Sequence, residues 1–149
     1  MKVKHETIHL WTCPKCKRQF ERKGQMHSCT PYDLEMHFEG KPAGKLLYEK
    51  FKRAVKKQVG SFKTESLECC IHFVSPFTFA AVKIYRDRIR VDFALDRNIK
   101  RKRVKQCVQM SAQRYLLVID IVSEDDIDNE LMAWIQEAYD KKHDKHNLA

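Results

Sequence analysis

Phe77-Thr-Phe-Ala-Ala-Val-Lys-Ile-Tyr85, then Arg86-Asp87, then Arg88-Ile-Arg-Val-Asp-Phe-Ala-Leu95 is the stretch on which the fold turns. In the second run Ile89, Val91, Phe93 and Leu95 share one face, and Arg88, Arg90, Asp92 and Ala94 share the other. A period of two belongs to a strand with one buried side. Two such runs joined by two polar residues predict an antiparallel pair. Around them the same reading predicts strands at Phe62 to Leu67, at Glu68 to Val74 and at Tyr115 to Val122, with Ser75-Pro76 as an interruption.

Helical spacing flanks this sheet. Leu47, Phe51, Ala54, Val55 and Val59 recur along residues 43–59, with Lys45, Lys52, Lys56 and Lys57 largely off that stripe. Gly60 suits the residue after the helix end. Downstream, Ser123 and Asp126 have capping-box spacing, and Ile127, Leu131, Trp134, Ile135 and Ala138 form an apolar stripe. Thr30-Pro31-Tyr32-Asp33 has the chemistry of a helix start, with Thr30 as the cap and a short helix running to Phe38. Residues 97–114 lack periodicity and are expected to form a long loop with at most one helical turn. The predicted class is α+β: a small N-terminal zinc knuckle, a helix, an antiparallel sheet of about four to five strands, and a C-terminal helix. The expected division is 1–40 for the knuckle with its short helix, 41–142 for the α+β domain and 143–149 for a frayed tail.

The metal expectation rests on Cys13-Pro-Lys-Cys16 and His27-Ser-Cys29. Cys13, Cys16, His27 and Cys29 are the expected ligands of one zinc ion. Three thiolates and an imidazole fill a tetrahedron and leave no position for water, so the zinc is structural. Trp11 and Phe20 can cover it with apolar surface. A segment this small has little core of its own, so metal binding supplies much of its folding free energy. Two alternatives stay open: His37 in place of His27 or Cys29, and a redox Cys-x-x-Cys, which lacks its usual βαβ setting here. Cys69, Cys70 and Cys107 read as reduced thiols packed as small hydrophobes.

The chain has 149 residues, 43% of them hydrophobic, which is enough for a core. No apolar run reaches membrane-spanning length and no leader is evident, so a cytoplasmic protein without membrane contact is expected. The net charge of +9 is unevenly spread. Residues 41–60 carry +6, residues 97–114 carry +7 without an acid, and residues 115–149 carry −6. Such polarity suits an anionic partner, DNA or RNA foremost. The expected contacts are Lys52, Lys56, Arg97, Lys100, Arg101, Lys102, Arg103 and Lys105. The competing reading is a solvated basic loop that offsets the acidic last helix.

Trp11-Thr-Cys-Pro-Lys-Cys-Lys-Arg-Gln-Phe20, Gln25-Met-His-Ser-Cys29 and Tyr32-Asp-Leu-Glu-Met-His-Phe-Glu-Gly-Lys41 resemble the opening of a bacterial family, domain of unknown function 5655. Lys63-Thr64, Phe79-Ala-Ala-Val82, Asp125 to Leu131, Trp134 and Glu137-Ala-Tyr139 are similar to its later part. The resemblance covers roughly residues 11–140. It implies the same Cys13, Cys16, His27 and Cys29 positions and brings no biochemical role with it. The chain departs from the family at Lys17, where glycine is expected, and in the more basic 97–114 segment.

Catalytic chemistry is thinly represented. Cys70 and His72 share a strand face, but neither an oxyanion donor nor an orienting carboxylate is identifiable beside them. Asp92 and Asp96 are expected to pair with Arg88 and Arg90. The four glycines form no phosphate loop. Glu124 to Asp128 lacks calcium-loop spacing and serves as a helix cap. The function expected from the sequence is thus a non-catalytic module for an anionic partner. The alternatives are a small-molecule binder or enzyme at Cys70, His72 and Arg90, or a protein-interaction adaptor.

Overall fold

The computed structural model describes residues 10–20, 22–26 and 32–147, with side chains through residue 141. Two short strands, β1 (Trp11–Thr12) and β2 (Gln19–Phe20), pair around the Cys13–Cys16 turn. A 3-10 segment follows at Leu34–His37. It is capped by Asp33, whose carboxylate accepts the Glu35 amide at 3.1 Å. The predicted cap Thr30 and its neighbour Pro31 lie outside the described residues.

Helix α1 (Pro42–Val59) begins on a proline, whose missing N–H costs nothing in a first turn, and ends at Gly60 with φ 97°. The main sheet contains β3 (Lys63–Ser66), β4 (Ile71–Val74), β5 (Thr78–Ile84), β6 (Ile89–Leu95), β7 (Val104–Ser111) and β8 (Arg114–Ile121). Its order is β3-β4-β5-β6-β8-β7, and every neighbouring pair is antiparallel. A capping box at Ser123 and Asp126 precedes α2 (Asn129–Asn147).

Six strands form this sheet, more than the sequence predicts. The additional strand is β7, inside the segment expected to be a loop. It lies at the sheet edge beyond β8, and most of its side chains are exposed. An edge strand with little burial on either face has no hydrophobic alternation to reveal it.

Both helices pack on β5 and β6 and on one another. The covered sheet face presents Ile71, Phe73, Val82, Val91, Phe93, Leu117 and Ile119, and the helices contribute Phe51, Val55, Leu131 and Ile135. These side chains are almost wholly removed from water. Burial of such an apolar set, at roughly 25 cal/mol per Å², is the main term holding the two layers together. No helix among the described residues is long and apolar enough to cross a membrane.

Candidate functional sites

The Cys13–Cys16 turn is built by its backbone. The Lys17 amide donates to the Cys13 carbonyl at 2.8 Å, and the Cys13 amide donates to the Arg18 carbonyl at 2.9 Å. Lys17 takes φ 65° and is the one non-glycine residue with positive φ among those described. A lysine there accepts a conformation costing about 1 kcal/mol or more. Cys13 is buried and Cys16 half-buried. Trp11 and Phe20 face each other across β1 and β2 with ring centroids 6.1 Å apart. Arg18 ties the turn to β3 through Glu65 at 3.7 Å.

His27 and Cys29 lie outside the described residues, and among the described residues no three His, Cys, Asp or Glu side chains form a metal-holding group. His37 has another occupation. It is buried, its Nε2 lies 3.0 Å from Ser66 Oγ, and its ring meets Tyr32 edge-on at 4.9 Å. Burial lowers its pKa.

Three arginines of the basic run from 97 to 105 pair with acids of α2 and its approach, and of these only Arg103 is half-buried. Arg97 forms two hydrogen bonds with Glu137, at 2.9 and 3.1 Å. Arg101 reaches Glu130 at 3.1 Å. Arg103 meets Asp128 at 2.9 Å, Glu130 at 3.0 Å and the Asp126 carbonyl at 2.7 Å, with its guanidinium 5.5 Å from the Trp134 ring centroid. Of the expected contacts in this run, Arg97, Lys100, Arg101, Lys102 and Lys105 are exposed, and the three lysines have no acid partner among the described residues.

A second basic surface lies on α1. A groove of about 470 Å³ separates the 3-10 segment from α1, with Leu34, Phe38, Tyr48, Lys45, Lys52 and Lys56 among its walls. Arg53 also lines it, as do Glu35 and Glu49, and Glu35 pairs with Lys45 at 3.6 Å. Burial, and secondly Lys56, lowers the Lys52 pKa. The Lys56 ammonium sits 5.4 Å from the Phe62 ring centroid. Tyr48 is almost fully buried, and its hydroxyl has no hydrogen-bond partner among the described residues. Burial pushes its pKa up to about 12.

The residues proposed for chemistry each have another partner. Cys70 sits with its thiol 3.0 Å from that of Cys69, and burial pushes its pKa up to about 12. A thiol held protonated is a weak nucleophile. His72 Nδ1 lies 3.4 Å from Thr78 Oγ1, and burial lowers its pKa. Arg90 is bound by both oxygens of Asp120, at 2.7 and 3.1 Å.

The expected ladder of Asp92 and Asp96 with Arg88 and Arg90 is not formed. Arg90 faces Asp120 directly across β6 and β8, whereas Asp92 lies two residues along the same strand. Arg88 bonds Asp87 at 3.0 Å and also reaches Asp120 at 3.5 Å. Asp96 is taken by Lys141 at 2.6 Å. Through residue 141, α2 carries no large exposed apolar side chain.

A family model described as Domain of unknown function (DUF5655) matches residues 34–142. No curated protein and no solved structure matches the chain. The match spans most of the sequence, from the 3-10 segment into α2, and the chain therefore belongs to the family described as Domain of unknown function (DUF5655).

Proposed function

We propose that the protein is a non-catalytic binding module for an anionic partner, nucleic acid foremost, with α1 rather than residues 97–105 as the contact surface. The observation that carries this is the fate of the two basic clusters. Arg97, Arg101 and Arg103 spend their charge on Glu137, Glu130 and Asp128. Lys52, Arg53 and Lys56 line an open groove, and no acid pairs with them among the described residues. Phosphate binding needs long cationic side chains spaced along a surface; burial, and secondly the neighbouring Lys56, lowers the Lys52 pKa, and a bound anion would offset both.

The test is fluorescence anisotropy with a labelled DNA or RNA oligonucleotide. Lys52→Glu with Lys56→Glu is expected to weaken binding at least tenfold at low salt. Three contacts would give a log–log salt slope of about −3 on duplex DNA. Arg101→Glu with Arg103→Glu is expected to lower thermal stability first, since it places like charges beside Glu130 and Asp128. No binding at about 20 mM salt, where phosphate contacts are strongest, sinks the reading.

The same proposal gives the knuckle one structural zinc, held by Cys13, Cys16, His27 and Cys29. Two hydrogen bonds already fold the Cys13–Cys16 turn, and the donor set suits zinc. Zinc would supply a cross-link there and no chemistry of its own. One zinc per chain by elemental analysis is expected, with loss in Cys13→Ser and in Cys29→Ser. A metal-free protein, or undiminished zinc in both variants, refutes it.

A further inference from the structure

The sheet is open between β5 and β6 at one end. The two strands pair only over Ala81–Ile84 and Ile89–Asp92. Beyond that, β5 continues along β4 to Thr78 while β6 continues along β8 to Leu95. A bulge at Phe73/Val74 turns β5 away. The parting leaves a cleft of about 440 Å³, with Thr78, Phe79, Asp92, Phe93, Leu116 and Arg114 among its walls. That size falls within the range of small-molecule sites, as does the mixture of apolar walls with a few polar groups.

The two carboxylates in the cleft differ. Asp96 is neutralised by Lys141 at 2.6 Å. Asp92 is half-buried and has neither a hydrogen-bond partner nor an ion-pair partner among the described residues. We propose that this cleft binds a small organic amine, with the ammonium on Asp92 and the apolar body against Ala94 and Leu116, which lie on the same sheet face as Asp92. Burial raises the Asp92 pKa, so its ionised form is held at a cost that a cation beside it would offset. A ligand ammonium supplies that cation, and the apolar walls gain by covering its hydrocarbon part. The site is separate from the α1 groove, and it stands or falls apart from oligonucleotide binding.

The test is an amide-resolved NMR titration of the full chain with 2-phenylethylamine, 2-phenylethanol and 3-phenylpropionate. The amine is expected to shift the amides of Thr78, Asp92, Ala94 and Leu116 with a dissociation constant of about 1 mM, the scale open to so small a ligand. The alcohol and the acid should bind at least tenfold more weakly. Asp92→Asn should weaken the amine at least tenfold, and Ala94→Met, which narrows the cleft and leaves the carboxylate in place, should weaken it as well. Equal affinity for amine and alcohol, shifts centred elsewhere, or unchanged affinity in either variant overturns the proposal.

Discussion

Phe73→Ala is expected to cost about 3–5 kcal/mol of folding free energy, the usual penalty for emptying a fully packed aromatic position. Phe73 has no solvent exposure. Its ring centroid lies 4.6 Å from Phe62, 5.8 Å from Phe51, 6.2 Å from Tyr48 and 6.3 Å from Phe79. One side chain on β4 therefore joins two turns of α1, the segment leaving that helix, and β5. Truncation opens a cavity bordered by four rings that are each pinned by other contacts, so collapse into it is poor. Urea unfolding should show a lowered midpoint with an unchanged slope, and the melting temperature should fall by roughly 10 °C for a domain of this size. A loss below about 1 kcal/mol would mean that the rings close over the gap.

Gly44→Ala is the second large effect, and its sign is opposite to what helix propensity suggests. At an exposed helical site alanine would gain about 1 kcal/mol over glycine. Here a Cβ would stand 2.1 Å from the Tyr85 carbonyl oxygen and 2.8 Å from a methyl of Ile84. The first turn of α1 thus lies directly on the β5–β6 turn, an approach also marked by the Lys41 ammonium donating to the Ile84 carbonyl at 3.1 Å. Backbone must move to admit the methyl, and overpacking of this kind costs about 1–3 kcal/mol. Thermal unfolding beside Arg53→Ala, an exposed substitution on the same helix, checks it. A gain in stability at position 44 would show that the helix can lift off the turn.

Much of this framework was legible in the sequence because each element carries its own local signal. The alternation at Ile89 to Leu95 reappears as strict buried and half-buried alternation in β6. The Ser123–Asp126 spacing reappears as a capping box with both reciprocal bonds present. Helix α1 begins one residue before its predicted start and ends where predicted. What stayed hidden depends on neighbours in space. β7 is recognisable only through its backbone pairing with β8. The partner of Arg90 is chosen by cross-strand register, which places Asp120 opposite it and leaves Asp92 alone. The cleft beside Asp92 requires a bulge on another strand pair, and no residue within β6 announces it. The charge runs were legible as charge but not as availability, since the acids that occupy Arg97, Arg101 and Arg103 lie 25 to 40 residues away.

The strand order has a consequence for how this chain is made. β8 lies between β6 and β7, so the strand synthesised later occupies the inner place. During vectorial synthesis, β6 has a neighbour on the β5 side but none on the other until residue 121 has emerged. Through that interval its free edge exposes unpaired amides and carbonyls next to Val91, Phe93 and Leu95, a template for another chain's strand. The stretch made in the meantime, residues 97–114, carries seven cations and no acid. Like charges tethered beside the open edge repel a second nascent chain bearing the same segment. The acids of α2 arrive only after β8 has closed the sheet, and they then silence the arginines that guarded it.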